Sequence, residues 1–480
     1  MGLLLQLSVG GVVVLAFRKK FVDGGWAFGR VVGWLVIGLV VWMMAHAGAG
    51  VNTKIGVILV GVGVIIGSGY LVVKKGRKVR KFWKERWRVI LIEEVLFVVG
   101  LTWMILMRGY NPAILDLEKF MDAGFMNAYS HSPTLPASDI WLAGGMINYY
   151  SFGHFLGSVM MRLWGMRTAY GYNLLLGWLM GLVLAQVFSV VINVARVNKK
   201  GSQKLRFKEV FGSLVGSVLV VFGGNSHTAW YWFNHKGWEG YWYASATRFI
   251  PNTIHEFPAY SFVVSDLHAH LWGLPIVLLF LLLLAGWVKE IKKRKWQWAG
   301  GMGVVLGMMT MTNTWDVLVY GLLAGILGLM LWSSKKIGWK DLLVTIVIGL
   351  IGLVLVAMPW WKNFVPISQG MRMVEEHSQI KDLLILWTGH VFLSGLALVW
   401  AVGRKQKNWL VVAVVVTAWM LIVLPEFVYV KDIYPSHPRA NTMFKLTYQA
   451  LILMSIVIGV LITMLKKVKA KLVVGSLVVD

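Results

Sequence analysis

The stretch "MINYYSFGHFLGSVMMRLW", residues 146–164, decides how this chain is read. It is apolar and long enough to cross a bilayer, since about 20 apolar residues span the hydrocarbon core. Yet it opens on Asn148, Tyr149, Tyr150 and His154, and polar groups at membrane depth are costly unless paired or wet. The bland alternative for the two tyrosines is an interfacial aromatic belt. Whether this segment crosses sets the side of every later loop.

The 480 residues are 58% hydrophobic and only 14% charged, well below the roughly 25% charged content of a soluble domain. Apolar runs fall at about 2–17, 31–48, 55–73, 89–107, 170–196, 209–225, 269–288, 298–312, 314–333, 341–360, 383–402, 409–429 and 445–465. The expected class is therefore an all-α polytopic membrane protein of about 13 spans. The organisation expected is a three-helix membrane segment at 1–88, a main transmembrane domain at 89–465 and a cytoplasmic tail at 466–480. In the first run the charges of Arg18, Lys19 and Lys20 follow the apolar residues. A cleaved secretory signal carries them before, so this is read as a first membrane helix. With no cysteine in the chain, disulfides, thiolate metal sites and cysteine nucleophiles are excluded.

Charge resolves the status of 146–164. If it does not cross, the loops 18–30, 74–88, 196–208, 289–295, 335–340, 404–407 and 466–471 share one side and hold 34 of the 47 Lys and Arg residues. If it does cross, the split becomes roughly 23 against 24 and the positive-inside bias vanishes. The segment is thus expected to be an amphipathic or re-entrant helix at the outer face. The formal charge of +26 is read the same way. Runs such as "KKGRKVRKFWKERWR" (74–88) are topogenic, lipid-facing loops, so no nucleic-acid partner is expected; the partner is the bilayer of the cell membrane, with the functional face outside.

The outer side holds the other 13 basic residues against 13 acidic ones, and no histidine falls in an inner loop. Four polar clusters lie outside. The long loop 108–145 carries Glu118 and Asp122, four apart and so on one face of a short helix. Two like charges there need a cation or a shared proton. The second cluster is Asn148, Tyr149, Tyr150 and His154. The third, 248–275, contains Glu256 and the alternating Asp266, His268 and His270, which extended backbone would place on one face. Such a set suits a divalent cation, magnesium or manganese; hydrogen bonds to headgroups or between the histidines are the other reading. The fourth brings Arg439, Asn441 and Lys445 into the last span, and Arg and Lys are usual phosphate partners. Asn313 and Asp316 sit in a tight outer turn and are explained as a cap. Glu93 and Glu94, near the inner end of a span, have no evident partner.

At "EKFMD" (118–122), "DIWLAGGMINYYSFGH" (139–154), "EFPAYSFVVSDLHAH" (256–270) and "RANTMFK" (439–445) the chain resembles the prokaryotic "YYY" membrane proteins of unknown function. The third tyrosine of the run is Ser151 here, which argues against an essential hydroxyl at that position. That group in turn resembles the C-type membrane glycosyltransferases (GT-C), in which a span rises to a large first outer loop bearing a catalytic acid. The resemblance implies a polyprenyl-phosphate sugar donor, inversion at the anomeric carbon, and a general base within "EKFMD". Asp122 is the first choice, with Glu118 expected in a local ion pair with Lys119. Asn148, Tyr149, Tyr150, His154, Glu256, Arg439, Asn441 and Lys445 become the substrate-binding candidates. A transporter or flippase of a lipid-linked or anionic solute is the alternative. It would favour internal repeats and mid-depth polar groups, and no internal repeat is evident.

Overall fold

The computed structural model describes residues 2–198, 205–291, 295–431 and 436–465. The expected tail at 466–480 lies outside them. Among the described residues the chain is helical: α1 Gly2–Phe17, α2 Gly29–His46, α3 Lys54–Lys74, α4 Gly76–Tyr110, α5 Lys119–His131, α6 Phe152–Trp164, α7 Thr168–Ala195, α8 Phe207–Phe222 and α9 His227–His235. These are followed by α10 Pro258–Val264, α11 Ala269–Lys289, α12 Lys295–Thr312, α13 Thr314–Ser333, α14 Trp339–Trp361, α15 Ile380–Val402, α16 Trp409–Val423 and α17 Ala440–Met464. Two three-residue strands, β1 (Met371–Met373) and β2 (Val428–Val430), pair antiparallel with Met371 opposite Val430.

The all-α polytopic class holds, with fewer certain spans than the apolar runs suggest. Among the described residues ten helices are long and apolar enough to cross, or eleven if α8 and α9, bent by 80° at their junction, count as one. Helix α1 has only 16 residues. Helix α12 is diluted by Lys295, Gln297, Thr310, Thr312 and the glycines at 300, 301, 303 and 307. The basic stretch 74–88 is not a loop. It forms the first turns of α4, a continuous helix of 35 residues, so α4 runs unbroken across residue 88. Lys, Arg and Glu, all good helix formers, fill most positions from Gly76 to Arg88. One connected core joins Leu5 in α1 to Leu461 in α17.

The packing of α4 on α7 fixes the topology around 146–164. Gly100 lies against the backbone of Gly181, and Leu101 against Gly177, so the helices run antiparallel. At their far ends Arg108 Nε donates to Asn173 Oδ1 at 2.7 Å. Residues 111–167 therefore leave and return at the same end of the bundle. Helix α6 has 13 residues, about 20 Å at 1.5 Å per residue, too short for a core of about 30 Å. It is not a surface helix either, because every residue from Phe152 to Leu163 is buried. Arg162 explains how its charged end is tolerated: its guanidinium bonds Asn52 Oδ1 and the Tyr129 carbonyl. Of the two descriptions expected for this segment, burial favours the re-entrant one.

Close helix approach at Gly181 gives a stability test. A Cβ there would fall 2.4 Å from the Phe97 carbonyl oxygen, which backbone cannot move aside cheaply. Gly181→Leu is expected to cost about 1–3 kcal/mol, read as a lower unfolding temperature; an unchanged temperature would contradict this packing.

Glu93 and Glu94 also find their places. Arg30 Nη1 and Nη2 donate to the two oxygens of Glu94 at 3.0 and 2.5 Å, and Trp26 Nε1 donates to Glu94 Oε1 at 2.7 Å. Glu93 is buried beside Asp23, whose oxygens accept from Ser189 and Asn193 at 2.7 Å each. The partners lie more than 60 residues away in sequence, beyond the reach of local spacing.

The cysteine-free chain allows a clean test of sidedness. Arg167→Cys and Glu239→Cys are expected to react with an impermeant thiol reagent on intact cells, and Lys405→Cys only after permeabilisation. Labelling of 167 and 239 from opposite sides would break the same-end placement.

Candidate active site

The site forms where the α5 start, the turn before α6, and the N-terminal ends of α11 and α17 meet. Asp116 and Leu117 both adopt left-handed backbone, at φ 69° and 51°. Left-handed Leu is uncommon, and such strain persists where surrounding structure enforces it. The turn delivers Glu118 to the entrance of α5. One helical turn on, Asp122 points inward and is fully buried.

Two imidazoles meet these acids. His154 Nε2 lies 2.6 Å from Asp122 Oδ1. His268 Nδ1 lies 2.9 Å from Glu118 Oε2 and 3.5 Å from Asp122 Oδ1. The other nitrogen of His268 is tied to the Tyr149 hydroxyl at 2.8 Å. Tyr149 is held in turn by Trp360, whose Nε1 donates to its carbonyl at 3.0 Å. The segment carrying Asp266 is pinned by Tyr172, whose hydroxyl donates to the Ser265 carbonyl at 3.1 Å and accepts from the Leu267 N–H at 3.0 Å. Ser265 is itself left-handed, at φ 59°. Tyr150 packs on Tyr149 with ring centroids 4.2 Å apart, and the buried Lys445 Nζ lies 5.9 Å from the Tyr150 ring centre.

The electrostatics follow from this crowding. Burial would raise Asp122, but the hydrogen bond to His154 and the nearby His268 imidazole outweigh it and hold the carboxyl well below its usual range. The His268 imidazole beside Glu118 likewise holds that carboxyl low. Burial would lower His268, yet Asp122 and Glu118 reverse it and keep the imidazolium well above its ordinary range. Asp266 moves the other way, to about 8, first by burial and then by the Asp122 charge. Burial raises Tyr149. For Tyr150 the same burial is overcome, chiefly by Lys445, and its phenol is lowered.

Glu118, Asp122, Tyr149, Tyr150, His154, Asp266, His268 and Lys445 thus gather in one place from four distant stretches. Of the remaining candidates, His270 borders the cluster, its ring 5.3 Å from that of His268, while Arg439, Glu256 and Asn148 are committed to other partners. His270 lies inside α11, which starts at Ala269, so the extended alternation ends at His268. Its Nε2 lies 2.9 Å from the Ser261 hydroxyl. Arg439 is engaged by Glu426, at 2.6 Å, and by Ser378. Glu256 pairs with Arg248 at 2.7 Å. Asn148 clamps both backbone groups of Val365 at 2.9 Å. Asn441 lies one turn before Lys445 in α17. The expected Glu118–Lys119 pair is replaced, since Lys119 Nζ donates to the Leu115 carbonyl at 2.9 Å. Tyr172 and Trp360, which position the site, escaped the sequence reading; a lone Tyr or Trp in an apolar run carries no spacing signal.

The family model of an uncharacterized membrane protein family, DUF2298, matches residues 36–413 and 392–454. The chain belongs to this family. All eight residues that gather at the site fall within the matched segments. No curated protein and no solved structure matches the chain.

Proposed function

We propose that this DUF2298 protein is an integral-membrane glycosyltransferase that moves a sugar from a polyprenyl-phosphate donor to an acceptor at the outer face of the cell membrane. The observation that carries this reading is the placement of a half-exposed carboxylate, Glu118, and a buried cation, Lys445, which has no carboxylate in ion-pair contact among the described residues, at one end of the bundle. An acid open to solvent beside a buried cation suits transfer from an anionic leaving group. The N-terminal ends of α11 and α17 add a positive field at the same place. The GT-C resemblance adds a layout in which a large first outer loop bears the acid, and that is analogy.

In this reading the acceptor oxygen attacks the anomeric carbon from the face opposite the phosphate. The bond from that carbon to the phosphate oxygen breaks, its electron pair leaves with the lipid phosphate, and configuration inverts. Glu118 takes the acceptor proton, because its side chain is 52% exposed while Asp122 has no exposed surface. Asp122 holds His268, and His154 holds Asp122. Lys445, next to Tyr150, meets the charge on the departing phosphate.

Polyprenyl monophosphate is expected to raise the unfolding temperature of the purified protein, and neutral polyprenol of the same length is not. Equal effects of the two lipids would remove the phosphate from the reading.

A further inference from the structure

We propose that Glu118, Asp266 and His268, backed by Asp122, bind one divalent cation of the manganese class. One ligand atom from each of the first three lies within 4.8 Å of the others. Proximity of acids alone would carry little, but three buried atoms in this cluster lack a hydrogen-bond partner: Asp266 Oδ1, Asp122 Oδ2 and His268 Nδ1. Asp122 is wholly buried, and Asp266 and His268 are only 9% and 7% exposed. Buried polar atoms without partners are rare in folded proteins and call for an explanation such as an ion.

The His268 nitrogen is the most telling of the three. It lies 2.9 Å from Glu118 Oε2 in an ion pair but off the line of a hydrogen bond, and one ligand atom each of Glu118, Asp266 and His268 falls within 4.8 Å of the others. Its orientation is set from behind by the Tyr149 hydroxyl on Nε2. His154 does the same for Asp122 Oδ1. Outer groups that fix the orientation of imidazole and carboxylate ligands are a regular part of metal sites.

The charge count agrees. Three carboxylates, Glu118, Asp122 and Asp266, meet two imidazoles, His154 and His268, and a cation bound in place of the proton on His268 Nδ1 would keep their charge compensated. Two carboxylates plus one imidazole suit a cation that accepts both oxygen and nitrogen ligands. Manganese does so more readily than magnesium or calcium, which favour oxygen. The ligand set differs from the alternating Asp266, His268 and His270 suggested by spacing. His270 packs against the His268 ring, centroids 5.3 Å apart, but its Nε2 is taken by the Ser261 hydroxyl, and Glu118 arrives from a loop about 150 residues earlier.

The chemical use of the ion rests on the transferase reading; its binding does not. With Oε2 of Glu118 facing the cluster, its other oxygen stays available for the acceptor proton. A bound cation would supply charge to offset the departing phosphate.

The test uses the full chain, purified, stripped with EDTA, placed in lipid nanodiscs and titrated with Mn²⁺ alone. Free Mn²⁺ is followed by its electron paramagnetic resonance. Uptake of one Mn²⁺ per chain is expected, with affinity at least ~10-fold weaker in His268→Gln and Asp266→Asn. Tyr149→Phe should lose about 10-fold, the low end for an orienting group, and Glu239→Gln nothing. Bound Mn²⁺ in the unsubstituted protein should also show nitrogen modulation from an imidazole in its spin-echo spectrum, a readout that needs no variant to fold. No uptake at millimolar Mn²⁺, uptake without nitrogen modulation, or equal affinity in folded His268→Gln and Asp266→Asn would each overturn the site. Mn²⁺ uptake without sugar transfer would leave this inference standing and remove the transferase reading. Sugar transfer that persists in EDTA, with no Mn²⁺ uptake, would do the reverse.

Discussion

Glu118→Gln is expected to lower sugar transfer by at least ~100-fold, the lower end of what loss of a general base costs, with little change in unfolding temperature. Glutamine keeps the size and one acceptor oxygen but cannot take a proton at neutral pH. The side chain is about half exposed, so its replacement disturbs little packing. Asp122→Asn should behave differently. That carboxylate is fully buried between two imidazoles, and removing one partner of a buried charge pair costs about 3–5 kcal/mol. Activity and stability should therefore fall together in Asp122→Asn, and activity alone in Glu118→Gln. Near-normal turnover in Glu118→Gln, with loss confined to a still stable Asp122→Asn, would exchange the two roles.

Lys445→Met carries the second large effect. Methionine fills similar volume in the buried wall formed with Phe444 and Tyr150 while deleting the charge. A hydrogen bond to a charged group contributes about 1.5–3 kcal/mol, so the KM for a lipid-phosphate donor should rise about 10- to 150-fold. Turnover at saturating donor should change less. Arg439→Met is the informative contrast, because Arg439 is occupied by Glu426 and Ser378. It should lower the unfolding temperature with no selective effect on donor KM. A donor KM that responds to Arg439 and ignores Lys445 would move the phosphate site to the other residue.

Why some of this was legible in sequence, and some not, follows from the range of each signal. Apolar runs and loop charges are properties of contiguous residues. They suffice for the polytopic helical class and for the return of 111–167 to the end it left. The same signals overstate the number of long spans, because a 16-residue apolar run and a glycine-rich one look alike in composition. Glu118, Asp122, Asp266, His268 and Lys445 stand out because charge is scarce in an apolar chain. Their division of labour does not, since burial separates Glu118 from Asp122 and only packing sets burial. Alternation across 266–270 assumes extended backbone throughout, and with a helix starting at Ala269 His270 stays beside the His268 ring but spends its Nε2 on Ser261. Arg439 reads as a phosphate partner until Glu426 is found 2.6 Å away. Pairing over long sequence separation leaves no local trace, as with Arg30 and Glu94.

The central claim is transfer itself, and it is tested most directly with purified protein in nanodiscs, Mn²⁺ and radiolabelled polyprenyl-phosphate sugars of several kinds. After incubation with membrane lipid extract as acceptor source, products are separated from donor and their anomeric configuration determined. The account predicts label in a new product with inverted configuration, formed by the unsubstituted protein and lost in Glu118→Gln. Recovery of all label in intact donor across the donor set, or product formed equally well by Glu118→Gln, would contradict it.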